Sequence, residues 1–262
     1  MLTTKFDDRL YFKSTVLEDI PGVKHFFTSK LGGFSRGDVK GLNLGFRVGD
    51  DPTSVEGNYR WICKDFGLDY KKITAAKQIH SAKIEVINSE NVGFGVSDLS
   101  KTFEADGLVT NLKDVPITVF YADCVPILMA DPVAGVVAAE HSGWRGTVQN
   151  IAGAAVEIMC REFGAKPQNI KAAIGPSIGP CCFETGEEVA VLFDEDLRIK
   201  LPDGKFKVDL WQANKRLLQN AGLIEENIDV LELCTICHSD VLYSYRKDAQ
   251  STGRMGAFIL NT

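Results

Sequence analysis

The sequence predicts a mixed α/β chain of α+β character, with helices covering mixed sheets. Three observations carry that expectation. Val- and Ile-rich runs of strand length crowd the middle third, helical periodicities follow them, and capping and turn residues punctuate the rest. The N-terminal third reads as strands at Tyr11–Val16 and Val23–Thr28, then a glycine-rich loop from Leu31 to Gly49. A helix over Ser54–Phe66 comes next: Thr53 and Glu56 have capping-box spacing, and Pro52 suits a helix start. Strands are expected at Lys83–Ile87, Gly107–Thr110, Ile117–Ala122, Ile127–Ala130 and Gly135–Ala139. Their nearly continuous apolar character predicts burial on both faces.

One helix is expected from Val148 to Phe163, where Val148, Ile151, Ala152, Ala155, Met159 and Phe163 fall at helical spacing. The last third alternates: strand Ile170–Ile174, helix Glu187–Phe193, helix Leu210–Asn220, strand Ile228–Glu232 and strand Ala257–Leu260. Thr185 with Glu188, and Asp209 with Gln212, mark helix starts, and Gly222 marks a helix end. No repeat, low-complexity stretch or linker divides the chain, so residues 1–262 are expected to form a single domain.

Composition excludes several function classes. No apolar run is long enough for a membrane span, and the N-terminus lacks a basic region followed by an apolar core. A cytoplasmic protein is therefore expected. The net charge of −6, without long Lys or Arg runs, argues against nucleic acid as a partner. Seven cysteines are an odd number for a disulfide framework, and read better as buried residues, ligands or nucleophiles. A compact acidic domain is expected to be a monomer.

The richest segment is ADCVPILMADPVAGVVAAEHSGWRGT, residues 122–147. Cys124 opens one expected strand and His141 closes the next. A turn at Asp131-Pro132 and Gly135 would make the strands antiparallel and bring the two side chains together. His80 sits in a similar strand-like context upstream. Three readings follow. His80, Cys124 and His141 suit an open catalytic zinc site, with three protein ligands and a position left for water. Alternatively, Cys124 is a nucleophile, His141 its base, and the amides near Gly143 an oxyanion hole. In the third reading Cys124 is a buried small residue and the histidines are ordinary. Clustering at strand ends before a helix favours the first two. Ser142, Gly143, Gly146 and Thr147 add small residues at that helix start, where an anion could bind.

Ordered blocks along the chain resemble the YfiH/YlmD family, also called the multicopper polyphenol oxidase or laccase-domain family. They include Asn43-Leu44-Gly45, Gln78-Ile79-His80, Ala105-Asp106-Gly107, Ala122-Asp123-Cys124 and HSGWRGT from His141. GPSIGPCC from Gly175, Cys234-Thr235, Tyr245-Arg246 and Thr252-Gly253-Arg254 complete the set. The chain departs from the family pattern at Lys30-Leu31 and at Thr185. The resemblance implies an α/β/β/α sandwich similar to bacterial toxins that use a Cys–His pair. It implies one zinc per chain on His80, Cys124 and His141, with copper as a substitute in the same site. It also implies purine nucleoside phosphorylase activity on adenosine and inosine, with adenosine deaminase and methylthioadenosine phosphorylase activities. Purine nucleosides and phosphate would then be the partners. An amidase that edits peptidoglycan precursors is the alternative that other relatives suggest.

Two labels can be tested by counting. A multicopper oxidase needs about ten histidines, because imidazole is the usual copper ligand. The chain has four histidines, His25, His80, His141 and His238, so a multicopper mechanism is not expected. Cys234-Thr235-Ile236-Cys237-His238 matches a c-type haem attachment pattern, but its place after a buried strand points to structural cysteines instead. Arg47, Arg145 and Arg254, each close to glycines, are the expected phosphate or ribose contacts. Asn43 and Gln78 are assigned to sugar or base from motif position.

Overall fold

The chain enters as a hairpin, β1 (Leu2–Phe6) and β2 (Arg9–Lys13), followed by a short helix α1 (Thr15–Glu18) and strand β3 (Val23–Thr28). A computed structural model describes residues 1–248 and 251–262. After the glycine-rich loop come α2 (Pro52–Phe66), β4 (Thr74–Ala75), β5 (Ile84–Val86), β6 (Gly107–Thr110) and β7 (Ile117–Tyr121). The central hairpin is β8 (Val125–Asp131) and β9 (Val136–Ser142), succeeded by α3 (Trp144–Val148), α4 (Ile151–Phe163) and β10 (Lys171–Ile174). The remainder holds β11 (Glu184–Thr185), α5 (Glu187–Ala190), β12 (Arg198–Lys200), β13 (Phe206–Val208), α6 (Leu210–Asn220), β14 (Ile228–Val230) and β15 (Met255–Asn261).

Two six-stranded mixed sheets carry the molecule. The first has the order β1-β2-β3-β15-β7-β4 and the second β14-β10-β8-β9-β6-β5, with a small β11-β13-β12 sheet beside them. Side-chain alternation explains why their strands read as continuous apolar runs. On β3 and β15, Phe26 and Phe258 pack outward against Val55, Tyr59 and Ile62 of α2. Phe27, Ala257 and Ile259 point the other way, into a layer shared with Leu128, Val137 and Ala139 of the second sheet. Ile127, Met129 and Ala138 then face Ala152, Ala155 and Met159 of α4 and Leu218 of α6. The layers are therefore helix, sheet, sheet, helix, in the α/β/β/α arrangement expected. No helix among the described residues is long and apolar enough to cross a membrane.

Several expected elements shift. The strand expected over Tyr11–Val16 stops at Lys13, because the Ser14 amide donates to His25 Nε2 at 2.8 Å and the Ser14 hydroxyl to Asp229 at 2.7 Å, turning the chain into α1. Asp51, not Thr53, caps α2, accepting from the Thr53 and Ser54 amides, with Pro52 at the first position. The helix expected from Val148 is two helices, broken at Asn150, which lies in the left-handed region (φ 58°) and caps α4 by accepting from the Gly153 amide. Thr185 sits in β11 and Gly186 opens α5, so the expected capping box there is absent. Asp209 does cap α6 through the Gln212 amide, and Gly222 follows its end with φ +97°.

Candidate active site

The three convergent side chains come from where the two sheets meet. β8 and β9 pair antiparallel with Pro126 opposite His141, so Cys124, just before β8, lies beside the end of β9. Asp131 Oδ1 closes the hairpin by accepting the Val133 and Ala134 amides at 2.8 and 3.0 Å. His80 arrives on the segment between β4 and β5, with φ +60°. One ligand atom from each of His80, Cys124 and His141 lies within 4.8 Å of the others. The two imidazoles meet edge to face, with centroids 5.0 Å apart.

A residue that the sequence reading gave no role holds this geometry. Asp106, fully buried before β6, accepts from His141 Nδ1 at 3.0 Å and from the His80 amide at 2.9 Å through Oδ1. Its Oδ2 accepts from the Ser81 amide and hydroxyl at 2.7 and 2.8 Å and from the Ile79 amide at 3.2 Å. The carboxylate thus keeps the His80 backbone in its left-handed conformation and the His141 proton on Nδ1, which leaves Nε2 free as a ligand. In the sequence it stands as a lone acidic residue at the head of an apolar strand, within the Ala105-Asp106-Gly107 block.

The electrostatics follow from that arrangement. Burial pushes the Cys124 thiol up, but the His141 charge and hydrogen bonds from both histidines outweigh it and bring the thiol to about 6. Burial works against a charged His141, yet Cys124 and Asp106 lift it to about 9. Asp106 is held at about 2, its desolvation overcome by the His141 and Ser81 hydrogen bonds. The donor set, one thiolate and two imidazoles with a carboxylate behind one of them, suits a borderline-soft ion such as zinc. Close approach also requires Gly143, where an added Cβ would sit 3.0 Å from Cys124 Sγ and 3.5 Å from His80 Cδ2.

A cavity of about 510 Å³ opens over these residues, within the usual range for small-molecule sites. Arg47, Gln78, Arg145 and Arg254 line it, as do Arg246 and Tyr245, which the sequence reading left without a role. Phe46, Phe120, Trp144 and Phe183 supply aromatic wall. Arg145 lies over the Trp144 ring at 4.2 Å, Arg246 over Phe183 at 5.6 Å and Arg254 over Tyr245 at 5.4 Å. Burial lowers the Arg254 pKa, against the pull of Cys124. Asn43 lies outside the lining: its amide accepts from the Gly45 and Arg254 amides at 2.9 and 2.8 Å and donates to Asp50 at 2.7 Å. Gln78 lines the cavity, but its amide is paired with both backbone groups of Phe120. Asp123, at φ +98°, accepts from the Thr235 hydroxyl and the Arg246 amide, which ties the loops of the far wall to Cys124.

The helix expected after Thr147 begins earlier, at Trp144, with Gly143 as its cap. Ser142, expected at an anion site, instead bonds to Thr147 and Asn214 at 3.0 and 2.7 Å, which fixes α3 to α6. His25 is buried on β3 and His238 lies on the loop after β14, so only two imidazoles reach the cavity. A trinuclear copper cluster has no histidine set among the described residues.

Comparison with known proteins gives concordant results. The family model described as multi-copper polyphenol oxidoreductase laccase matches residues 24–262. A relative from Geobacillus stearothermophilus, named purine nucleoside phosphorylase YlmD, is 36% identical over 244 residues, covering 88% of each chain. A protein of an unknown prokaryotic organism, named adenosine deaminase RL5, is 36% identical over 245 residues, covering 90% of this chain and 93% of its own. The crystal structure of the hypothetical protein YfiH from Bacillus licheniformis superposes with a TM-score of 0.91 at 30% identity, covering 97% of both chains. Fold and matched length agree: the chain belongs to the multi-copper polyphenol oxidoreductase laccase family, alongside YfiH and YlmD.

Proposed function

We propose that this chain is a zinc-dependent purine nucleoside phosphorylase acting on adenosine and inosine, with adenosine deaminase and methylthioadenosine phosphorylase activity in the same cavity. The observation that carries the reading is the convergence of His80, Cys124 and His141 beneath a cavity walled by arginines and aromatic rings. Relatives named for phosphorolysis and for deamination support it.

Cys124, His80 and His141 would hold the zinc ion, which supplies a Lewis acid for phosphate or water. The remaining work falls to the chain. Arg254, half-buried near Cys124, with Arg47 and Arg145 at the rim, neutralises and orients phosphate. Aromatic faces of Phe46, Phe120 and Tyr245 offer stacking for the purine. In phosphorolysis a phosphate oxygen bonds to C1′, the bond from C1′ to the purine nitrogen breaks, and the purine leaves with the electron pair and takes up a proton. In deamination water replaces the amino group at C6 and ammonia leaves. Both place the reacting carbon over the convergent side chains.

Adenosine with phosphate, followed by product analysis, tests this directly. Adenine and ribose 1-phosphate support phosphorolysis and inosine supports deamination; no turnover of adenosine, inosine or methylthioadenosine rejects the reading.

One observation favours a second reading. With Cys124 brought down to about 6 beside a charged His141 oriented by Asp106, the three groups also compose a Cys–His–Asp nucleophile. A cysteine amidase would stay active with chelator present, whereas the phosphorylase would lose its zinc and its activity together.

A further inference from the structure

Away from the histidines, four cysteines converge at the rim of the molecule. Cys181 and Cys182 follow β10 on one loop, and Cys234 and Cys237 stand as Cys-x-x-Cys after β14 on another. Their four sulfurs all lie within 4.8 Å of one another, and Cys237 Sγ is 3.6 Å from both Cys181 Sγ and Cys182 Sγ. We propose that these cysteines form a second metal centre, a tetrathiolate site that holds one zinc ion and ties the two loops together.

The geometry is that of a site rather than of a disulfide. Sulfurs about 2.3 Å from a tetrahedral zinc ion are separated by about 3.8 Å, close to the spacing seen here. A disulfide joins two sulfurs at about 2.0 Å and gives no reason for four to converge. The amide of Gly179 donates to Cys234 Sγ at 3.3 Å, the support that a thiolate ligand takes from its surroundings. No carboxylate or imidazole belongs to the set, which selects a thiophilic ion over magnesium or calcium. Four protein sulfurs leave no open position, so the role is structural. Cys181 and Cys237 are exposed, which gives the ion an entry path from solvent.

The centre has a consequence for the cavity. Ile178 and Phe183 flank the Cys181-Cys182 pair, and Tyr245 and Arg246 follow the Cys-x-x-Cys loop; all four line the cavity wall. Ser177 already bridges to Cys234 along the backbone. An ion on the four sulfurs would fix this wall relative to Asp123 and Cys124.

The test counts ions and reads their ligands. Full-length protein loaded with zinc under reducing conditions is expected to bind about two ions per chain. Cys124→Ser, which disables the His–Cys–His site, should keep one, and adding Cys234→Ser and Cys237→Ser should remove it. Cobalt added to Cys124→Ser alone makes the test independent of how the triple variant folds. The expected signature is strong sulfur-to-metal charge transfer with the visible bands of a tetrahedral four-thiolate site. A Cys124→Ser protein that binds no cobalt, or binds it with a nitrogen- or oxygen-dominated spectrum, overturns the proposal. So does a disulfide between these cysteines in protein kept reduced. Iron held preferentially over zinc overturns the choice of ion.

Discussion

Asp106 does not line the cavity, yet it positions two of the three convergent side chains through a single carboxylate. Its replacement isolates that role. Asp106→Asn is expected to weaken zinc binding about 10- to 100-fold, the usual penalty for losing a carboxylate behind a ligating histidine. Competition with a chromophoric chelator measures this, with circular dichroism to show that the fold persists; unchanged affinity would remove Asp106 from the site. Gly143 is the complementary case, a position where any side chain intrudes. Gly143→Ala places a methyl 3.0 Å from Cys124 Sγ. A displacement of that kind should lower kcat/KM about 10- to 100-fold. An alanine variant with ordinary kinetics and full metal content would show that the site tolerates the group. At this scale the meeting of Cys124 and His141 was legible because they occupy complementary ends of a hairpin. Asn43 and Gln78 were assigned from motif position, which does not reveal that the Asn43 amide is engaged with the Gly45 and Arg254 amides and the Gln78 amide with the Phe120 backbone.

Among the elements, the junction of β2, α1 and β3 contains a pH-sensitive feature. His25 is buried, and its Nε2 accepts from the Ser14 amide, while Nδ1 has no hydrogen-bond partner among the described residues; Glu18 Oε2, 3.9 Å away, favours the charged form but is outweighed by burial. Burial therefore pushes its pKa down to about 4. The unfolded chain binds a proton near pH 6.5 and the folded chain only near pH 4, so stability falls as pH drops between those values. At pH 5 the loss is about 2 kcal/mol. His25→Gln, which retains an acceptor and does not titrate, should lose that much less between pH 7 and pH 5 in urea denaturation. Parallel losses in both proteins would show that His25 does not carry the effect. The same junction explains why the first strand was read too long: its apolar alternation continues past Lys13, and only the long-range bonds of Ser14 end it. β6 to β9 were legible because apolar runs and turn residues agree there. β1, β12 and β13 were missed because they are short and alternate weakly in sequence. The break at Asn150 escaped notice because helical spacing runs through it.

For the whole molecule, the position of the candidate zinc site predicts a coupling between ligand and fold. His80 lies on the connection from β4 in the first sheet to β5 in the second, and Cys124 on the connection from β7 to β8. His141 ends β9 in the second sheet. An ion on these three side chains therefore clamps both crossovers to the second sheet at the end of the interlayer core. Binding to the folded state alone stabilises it by about 4 kcal/mol when free zinc is a thousandfold above its dissociation constant. For a chain of this size that corresponds to a rise in Tm of about 10 °C. Calorimetry of wild type and Cys124→Ser, each with chelator and with zinc, separates this site from any other ion bound elsewhere. Wild type should gain about 10 °C more than the variant does. Equal shifts in the two proteins would mean that the three side chains do not bind zinc in the folded state, and the zinc-dependent phosphorylase reading would fall with them. A larger shift in wild type together with loss of phosphate-dependent adenosine cleavage in Cys124→Ser would instead join the fold, the ion and the chemistry at one place.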